Sequence, residues 1–214
     1  MGRLEGKVAF VTAAGGAIAG ATARLFAAEG AAVACVDIVE ENVKKTASDI
    51  EAAGGKAISV SADLADEAAV AALIPTINDQ LGTVSCVVNN ASIFEEDSIL
   101  SATKQSWEGH MAVNLRAPFV LTQSLAENLP NDEKANVINI VDQRVGNLTP
   151  YFTSYTLSKS ALWTLTQTAA AALAPSIRVN AIGPGPTLPS TRQSADQFKR
   201  QVELTPLQVQ VDPK

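Results

Sequence analysis

A tyrosine and a lysine stand four residues apart in Tyr155-Thr156-Leu157-Ser158-Lys159. On a helix that spacing puts both side chains on one face, with the ammonium near the phenol. A free phenol ionises near pH 10 and is a poor acid or base at neutrality. A neighbouring cation favours the phenolate and lowers that value. The pair therefore predicts a proton donor or acceptor for a carbonyl, imine or hydroxyl. Most such pairs are ordinary helix-surface neighbours, so the elements that hold this one carry the argument.

Those elements alternate. Apolar strand-like runs cover 7–12, 31–37, 56–61, 84–89, 136–141 and 177–182. Helical patterns cover 17–29, 40–53, 66–81, 106–128 and 154–174, with Gly30, Gly54-Gly55 and Gly82 as stops and Pro75 as an expected irregularity. Continuous apolar strands separated by helices indicate a mostly parallel sheet covered on both faces. The expected fold is a doubly wound, Rossmann-type three-layer α/β sandwich, forming one dinucleotide-binding domain over 1–214. After Pro184 the sequence turns polar and irregular. Residues 186–205 are expected to be a substrate-side loop or helix, and no seventh strand follows.

The chain has 214 residues, of which 47% are hydrophobic and 18% charged, enough for a sizeable core. A net charge of −6 argues against nucleic acid as a partner, because phosphate binding needs a basic face. No apolar run approaches the ~20 residues needed to cross a bilayer. The segment from Met1 to Lys7 does not resemble a signal-peptide core. A cytoplasmic protein without membrane partners is expected, and Cys35 and Cys86 then read as buried free thiols. With one histidine, His110, and no Cys-x-x-Cys, no metal site is predicted; His110 is expected to be a packing or surface residue.

In doubly wound sheets, ligands bind at the carboxyl ends of the strands. The first such loop runs from Thr12 to Ala19 and contains Ala13, Gly15, Gly16 and Ile18. A dinucleotide needs there a tight turn and close approach of backbone to pyrophosphate. Asp37 ends the second strand. Its carboxylate suits the adenosine ribose hydroxyls and repels a 2′-phosphate, and no Lys or Arg stands in the loop or just after Asp37. NAD is therefore expected in preference to NADP. The third strand delivers Asp63-Leu64, with Asp63 placed for the adenine amino group. The fourth delivers Asn90-Ala91, placed for the adenosine ribose. Each of these polar residues could instead serve as a helix cap or strand-end turn.

Taken in order, the strand–loop–helix opening, Asp63-Leu64, Asn89-Asn90-Ala91, Asn114, Tyr155-x-x-x-Lys159 and Arg178-Val179-Asn180 before Pro184-Gly185 resemble the single-domain short-chain dehydrogenases/reductases. The resemblance spans Leu4 to about Thr205. It implies that Tyr155 is the general acid and that Lys159 lowers its pKa and holds the nicotinamide ribose. It further implies that Asn114 anchors a proton-relaying water, and that Pro184, Gly185 and Thr187 meet the nicotinamide end.

The chain departs from that family in three places. Its opening glycines are Ala13, Ala17 and Ala19, and alanine costs about 1 kcal/mol wherever φ must be positive. The usual catalytic serine, thirteen residues before the tyrosine, is Asp142, whose carboxylate accepts from N–H groups and raises the Tyr155 pKa. Pteridine reductases are similar here, and also in Asn89-Asn90-Ala91-Ser92-x-Phe94. That likeness implies Phe94 stacking on a flat heterocycle, Ser92 lining the pocket and Asp142 reading the substrate. Finally, the family's further helix and edge strand are missing, which would leave the sixth strand's edge exposed.

The expected function is hydride transfer between a nicotinamide cofactor and a small carbonyl, imine or pterin-like substrate. A 3-oxoacyl or sugar/alcohol dehydrogenase is the alternative enzyme. A non-catalytic member with an impaired cofactor loop is the alternative outside enzymology. Apolar residues of the long helices, including Trp107 and Trp163, suggest a homodimer or homotetramer, with core packing as the competing role. Arg192, Lys199 and Arg200 could meet an anionic substrate or merely be solvated.

Overall fold

The structure, a computed structural model, describes residues 2–188 and 194–211. Six parallel strands form one sheet in the order β3-β2-β1-β4-β5-β6: β1 Val8–Thr12, β2 Ala32–Asp37, β3 Lys56–Ser61, β4 Val84–Asn89, β5 Ala135–Ile140 and β6 Ile177–Ile182. The order reverses between β1 and β4, which is where a doubly wound sheet opens its ligand crevice.

Side chains alternate across each strand, so one sheet feeds two cores. Val8 and Phe10 of β1 face α3 (Glu67–Leu81) and α5 (Ala117–Asn128), packing with Ile74, Ile77, Leu121 and Leu125. Ala9 and Val11 face α1 (Ala17–Ala28) and α2 (Glu40–Ala52), packing with Ala19, Ala23, Val43 and Ile50. The small side chains on α1 let that helix lie close to the sheet. Gly30 and Gly82 follow α1 and α3 with φ of 95° and 98°, the left-handed turn that glycine permits. Pro75 sits inside a continuous α3.

One element differs from expectation. The single helix predicted over 106–128 is α4 (Lys104–Met111) and α5, joined by a π-helical turn, Ala112–Arg116. The extra residue of that turn carries Asn114, whose side chain bonds outside the helix; such turns recur at functional sites. Beyond Pro184, the polar tract contains α7 (Ala195–Glu203), opened by a reciprocal Ser194/Gln197 capping box. The long α6 spans Thr153–Leu173. Among the described residues β6 ends the sheet, with Arg178, Asn180 and Ile182 exposed along it. Cys35 and Cys86 are free thiols, and burial pushes both up to about 11. No described helix is long and apolar enough to cross a membrane. No described group of residues has the makings of a metal site.

Candidate active site

The ends of β4 and β5, the start of α6 and the segment after β6 enclose a cleft of about 690 Å³. Ile18, Asn90, Ser92, Phe94 and Asp142 line it, together with Tyr155, Lys159, Pro184, Gly185 and Thr187. Ala13, Gly15, Gly16, Asp37, Asp63, Leu64, Ala91 and Asn114 do not. Asp63 is exposed and its Oδ1 accepts from Ala65 N at 2.9 Å, a turn role, while Leu64 packs on the core.

The loop after β1 keeps its turn despite the alanines. Ala13 has φ 54°, the left-handed region, so this is the position where alanine is strained. Ala17 and Ala19 belong to α1 and carry no such cost. Gly15 is required by contact: an added Cβ would lie 2.6 Å from Asn42 Cβ. Gly15 N also donates to Asp37 Oδ2 at 3.0 Å, and Val39 N to Asp37 Oδ1 at 2.9 Å. Asp37 therefore ties the loop to β2 with one lone pair of each oxygen. Gly16 opens α1 without a side-chain cap, and the first turn holds no acidic residue. The helix thus presents unshared N–H groups and its positive end, which fits a pyrophosphate. Thr12 fastens the neighbouring strand end: its Oγ1 accepts from Asn90 N and Ala91 N, both at 2.9 Å, and donates to Val88 O.

At the other end, Tyr155 Oη donates to Asp142 Oδ2 at 2.9 Å. Burial, then the Asp142 charge and this hydrogen bond, hold the phenol above its ordinary value; the Arg144 charge and the Ser92 hydroxyl oppose them and lose. Lys159 is 2% exposed, and burial lowers its ammonium to about 8 against the attraction of Asp142. Lys159 Nζ donates to Ile140 O at 2.7 Å and stands 5.9 Å from the Tyr155 ring centroid. The expected lowering of the phenol by Lys159 is therefore reversed in this arrangement. The carboxylate holds the phenol directly, while the ammonium is drawn to a backbone carbonyl.

Asn114 is fully buried. Its Oδ1 accepts from Ile93 N at 2.8 Å, and its Nδ2 donates to Ile93 O and to Ser158 Oγ, each at 3.0 Å. That commits both amide protons to fixing the Phe94 loop against α6. Phe94 itself is not free on both faces. It stacks on Phe152 with centroids 4.5 Å apart and meets Tyr155 edge-on at 4.7 Å. Arg144 Cζ lies 5.3 and 4.8 Å from the two phenylalanine centroids.

Several residues of this arrangement escaped sequence reasoning. Phe152, the residue before α6, adopts φ 59° and supplies no side-chain cap. The cap comes instead from Asp97, in the loop after β4: its Oδ1 accepts from Ser154 N at 3.0 Å, its Oδ2 from the Ser154 hydroxyl, and its O from Phe152 N at 2.7 Å. Burial works to raise the Asp97 carboxyl, but the bonds from Ser154 and Ser106 outweigh it and hold it below its usual value. A partner 57 residues away leaves no local signal. On the far wall, Gln197, Phe198 and Arg200 of α7 line the cleft. Lys199 instead pairs with Glu203 at the surface, and Arg192 lies outside the described residues. Trp107 and Trp163 are each about two-fifths exposed, so neither is a core residue.

Comparison with known proteins agrees with this geometry. A family model described as short chain dehydrogenase matches residues 7–200. The crystal structure of FolM, alternative dihydrofolate reductase 1 from Brucella canis, complexed with NADP, superposes with a TM-score of 0.94 at 41% identity, covering 98% of this chain and 84% of that one. The 3-oxoacyl-[acyl-carrier-protein] reductase FabG of Thermotoga maritima is 32% identical over 86% of this chain and 75% of its own length. Galactitol 2-dehydrogenase of Agrobacterium fabrum is 33% identical over 86% and 71%. The chain belongs to the short-chain dehydrogenase/reductase family and is an NAD(P)-dependent oxidoreductase.

Proposed function

We propose that this enzyme reduces a flat, nitrogen-containing heterocycle of the pterin type. The observation that carries this reading is the Tyr155–Asp142 hydrogen bond on the cleft wall. A carboxylate at that point accepts from a ring N–H or amino group, where a hydroxyl would donate to a ketone. The 41% identity to a protein named as an alternative dihydrofolate reductase supports the same class. Phe94 then offers its edge and its face away from Phe152 to the heterocycle, and Ser92 lines the pocket beside it.

The dinucleotide, when bound, supplies the hydride. The chain does the rest. The N–H groups that open α1 hold the pyrophosphate, with Gly15 and Gly16 shaping the approach and Asp37, Asp63, Asn90 and Ala91 on the adenosine side. Lys159 holds the nicotinamide ribose, and Pro184, Gly185 and Thr187 border the nicotinamide end. A substrate N–H that binds Asp142 competes with Tyr155 for the carboxylate and frees the phenol to protonate the atom that gains electron density. Lys159, charged below about pH 8, stabilises the phenolate left behind. Asn114 fixes the loop against which the substrate lies.

Asp37 and the lack of Lys or Arg at 13–18 and 38–39 support NAD. The NADP in the related Brucella structure supports the phosphorylated cofactor. Titration with NADH and NADPH by fluorescence separates the two: tighter NADH binding upholds the Asp37 argument, and tighter NADPH binding ends it. A turnover screen follows. Reduction of a pterin, lost in Tyr155→Phe with dinucleotide affinity retained, is the expected result. Turnover of a 3-oxoacyl thioester or a polyol with none on pterins would transfer the assignment to the alternative enzyme class. Binding of neither dinucleotide would favour the non-catalytic reading that the strained Ala13 suggests.

The protein is also proposed to self-associate through α5 and α6. These helices share an apolar groove of about 440 Å³ lined by Phe119, Ala126, Leu165, Ala169 and Leu173, and Phe119 is exposed.

A further inference from the structure

The chain's one histidine lies in a buried polar network that the proposed chemistry does not use. His110, in the last turn of α4, is fully buried; so is Ser154, and Asp97 is nearly so. His110 Nδ1 is 2.7 Å from Ser106 O, a carbonyl that can only accept, so Nδ1 carries a proton. The same N–H reaches Ser154 Oγ at 2.8 Å, and the Ser154 hydroxyl gives its own proton to Asp97 Oδ2. His110 Nε2 accepts from Glu95 N at 3.2 Å, a group that can only donate, so Nε2 must be bare. The partners thus dictate one state: neutral imidazole, Nδ1–H tautomer.

Each bond holds a different part of the site. The Glu95 bond fixes the residue next to Phe94. The Ser154 bond fixes the residue next to Tyr155. Phe94 and Tyr155 meet edge-on, so these two anchors set their relative position.

A proton on Nε2 would place two N–H groups face to face. Titratable residues beside the ring include Asp97, from the loop after β4, Glu95, whose amide bonds Nε2, and Tyr155 on α6, whose ring lies edge-on with centroids 6.1 Å apart. The Asp97 charge attracts an imidazolium, while the Glu95 amide cannot accept one in place. Protonation is therefore accommodated only if the Glu95 backbone turns away, and the Phe94 loop goes with it.

We propose that His110 is a positioning residue: its neutral ring locks the Phe94 loop and the start of α6 in register, and its protonation releases them, so the site disassembles on the acid side. The proposal rests on Tyr155 being the proton donor. It requires neither a titration at the phenol nor any change at Asp142.

Because the chain has a single histidine, its ring can be read without assignment. Nitrogen NMR of the histidine-labelled full chain should show the Nδ1–H tautomer at neutral pH; the Nε2–H tautomer overturns the proposal. This measurement needs no substrate. If Tyr155→Phe retained turnover while the tautomer was as stated, the proton-donor reading would fail and the lock would stand. The second measurement is the pH profile of kcat. Wild-type activity should fall over the same pH interval in which the ring signal titrates. His110→Gln keeps an acceptor for Glu95 N without titrating. It should stay within about threefold of wild type at neutral pH and lose that acid limb, whereas His110→Phe should lose about tenfold or more in kcat with dinucleotide affinity unchanged. Persistence of the acid limb in His110→Gln, or wild-type kcat in His110→Phe, refutes the positioning role.

Discussion

Lys159 carries a conflict between function and stability that experiment can expose. Its ammonium is buried and brought down from 10.5 to about 8, a drop that corresponds to roughly 3 kcal/mol. Between about pH 8 and 10.5 the unfolded chain binds more protons than the native one, so stability rises with pH across that window. Lys159→Met should therefore abolish turnover, raise stability at pH 7 by about 1–3 kcal/mol, and flatten that rise in urea unfolding. Equal or lower stability would mean that the Ile140 carbonyl bond outweighs the burial cost. Ala13 poses the opposite case. At φ 54° glycine is the better residue, so Ala13→Gly should stabilise the protein by about 0.5–1 kcal/mol and tighten dinucleotide binding. Thermal unfolding and the fluorescence titration read both effects.

The start of α6 depends on another segment of chain. Phe152 cannot cap it, and Asp97 does so from the loop after β4. Asp97→Ala strips the buried Ser154 N and hydroxyl of their acceptor, which should cost about 1–3 kcal/mol in denaturant unfolding. It should also lower kcat, because Tyr155 is the next residue. The carboxyl's value is depressed in the fold, so its contribution is present above about pH 4 and fades as pH falls further. An alanine variant with wild-type stability would show that the cap is redundant. The π-helical turn has a related origin. Asn114 bonds to Ile93 and Ser158 rather than to its own helix, and the backbone accommodates this with one extra residue.

For the molecule as a whole, the exposed groove between α5 and α6 is the surface to test. Phe119→Asp, at its rim, should convert an oligomer to monomers in sedimentation, since a buried unpaired carboxylate costs several kcal/mol. A wild-type protein that sediments as a monomer would end the self-association proposal. The two Trp side chains lie outside both cores, half in solvent, so neither needs replacing to test packing.

The strand–helix alternation, the parallel sheet and the Tyr155/Lys159 pair were all legible in the chain. Each is a local pattern: apolar runs, glycine stops and a four-residue spacing act between neighbours. So was Asp142, by its count back from Tyr155. What tertiary structure alone decided is how those groups are charged and held. That the Asp142 carboxylate raises the phenol follows from its charge, but that it bonds the phenol directly, that burial adds to the rise and that the ammonium turns to Ile140 O instead of opposing it are decided by the fold. Phe94 has one face taken by Phe152, 58 positions on, and α6 is capped from 57 positions back. His110 passed for a packing residue because its partners, Glu95 and Ser154, come from two other segments. Burial and hydrogen-bond geometry are properties of the assembled chain, and they set protonation states that no spacing rule encodes.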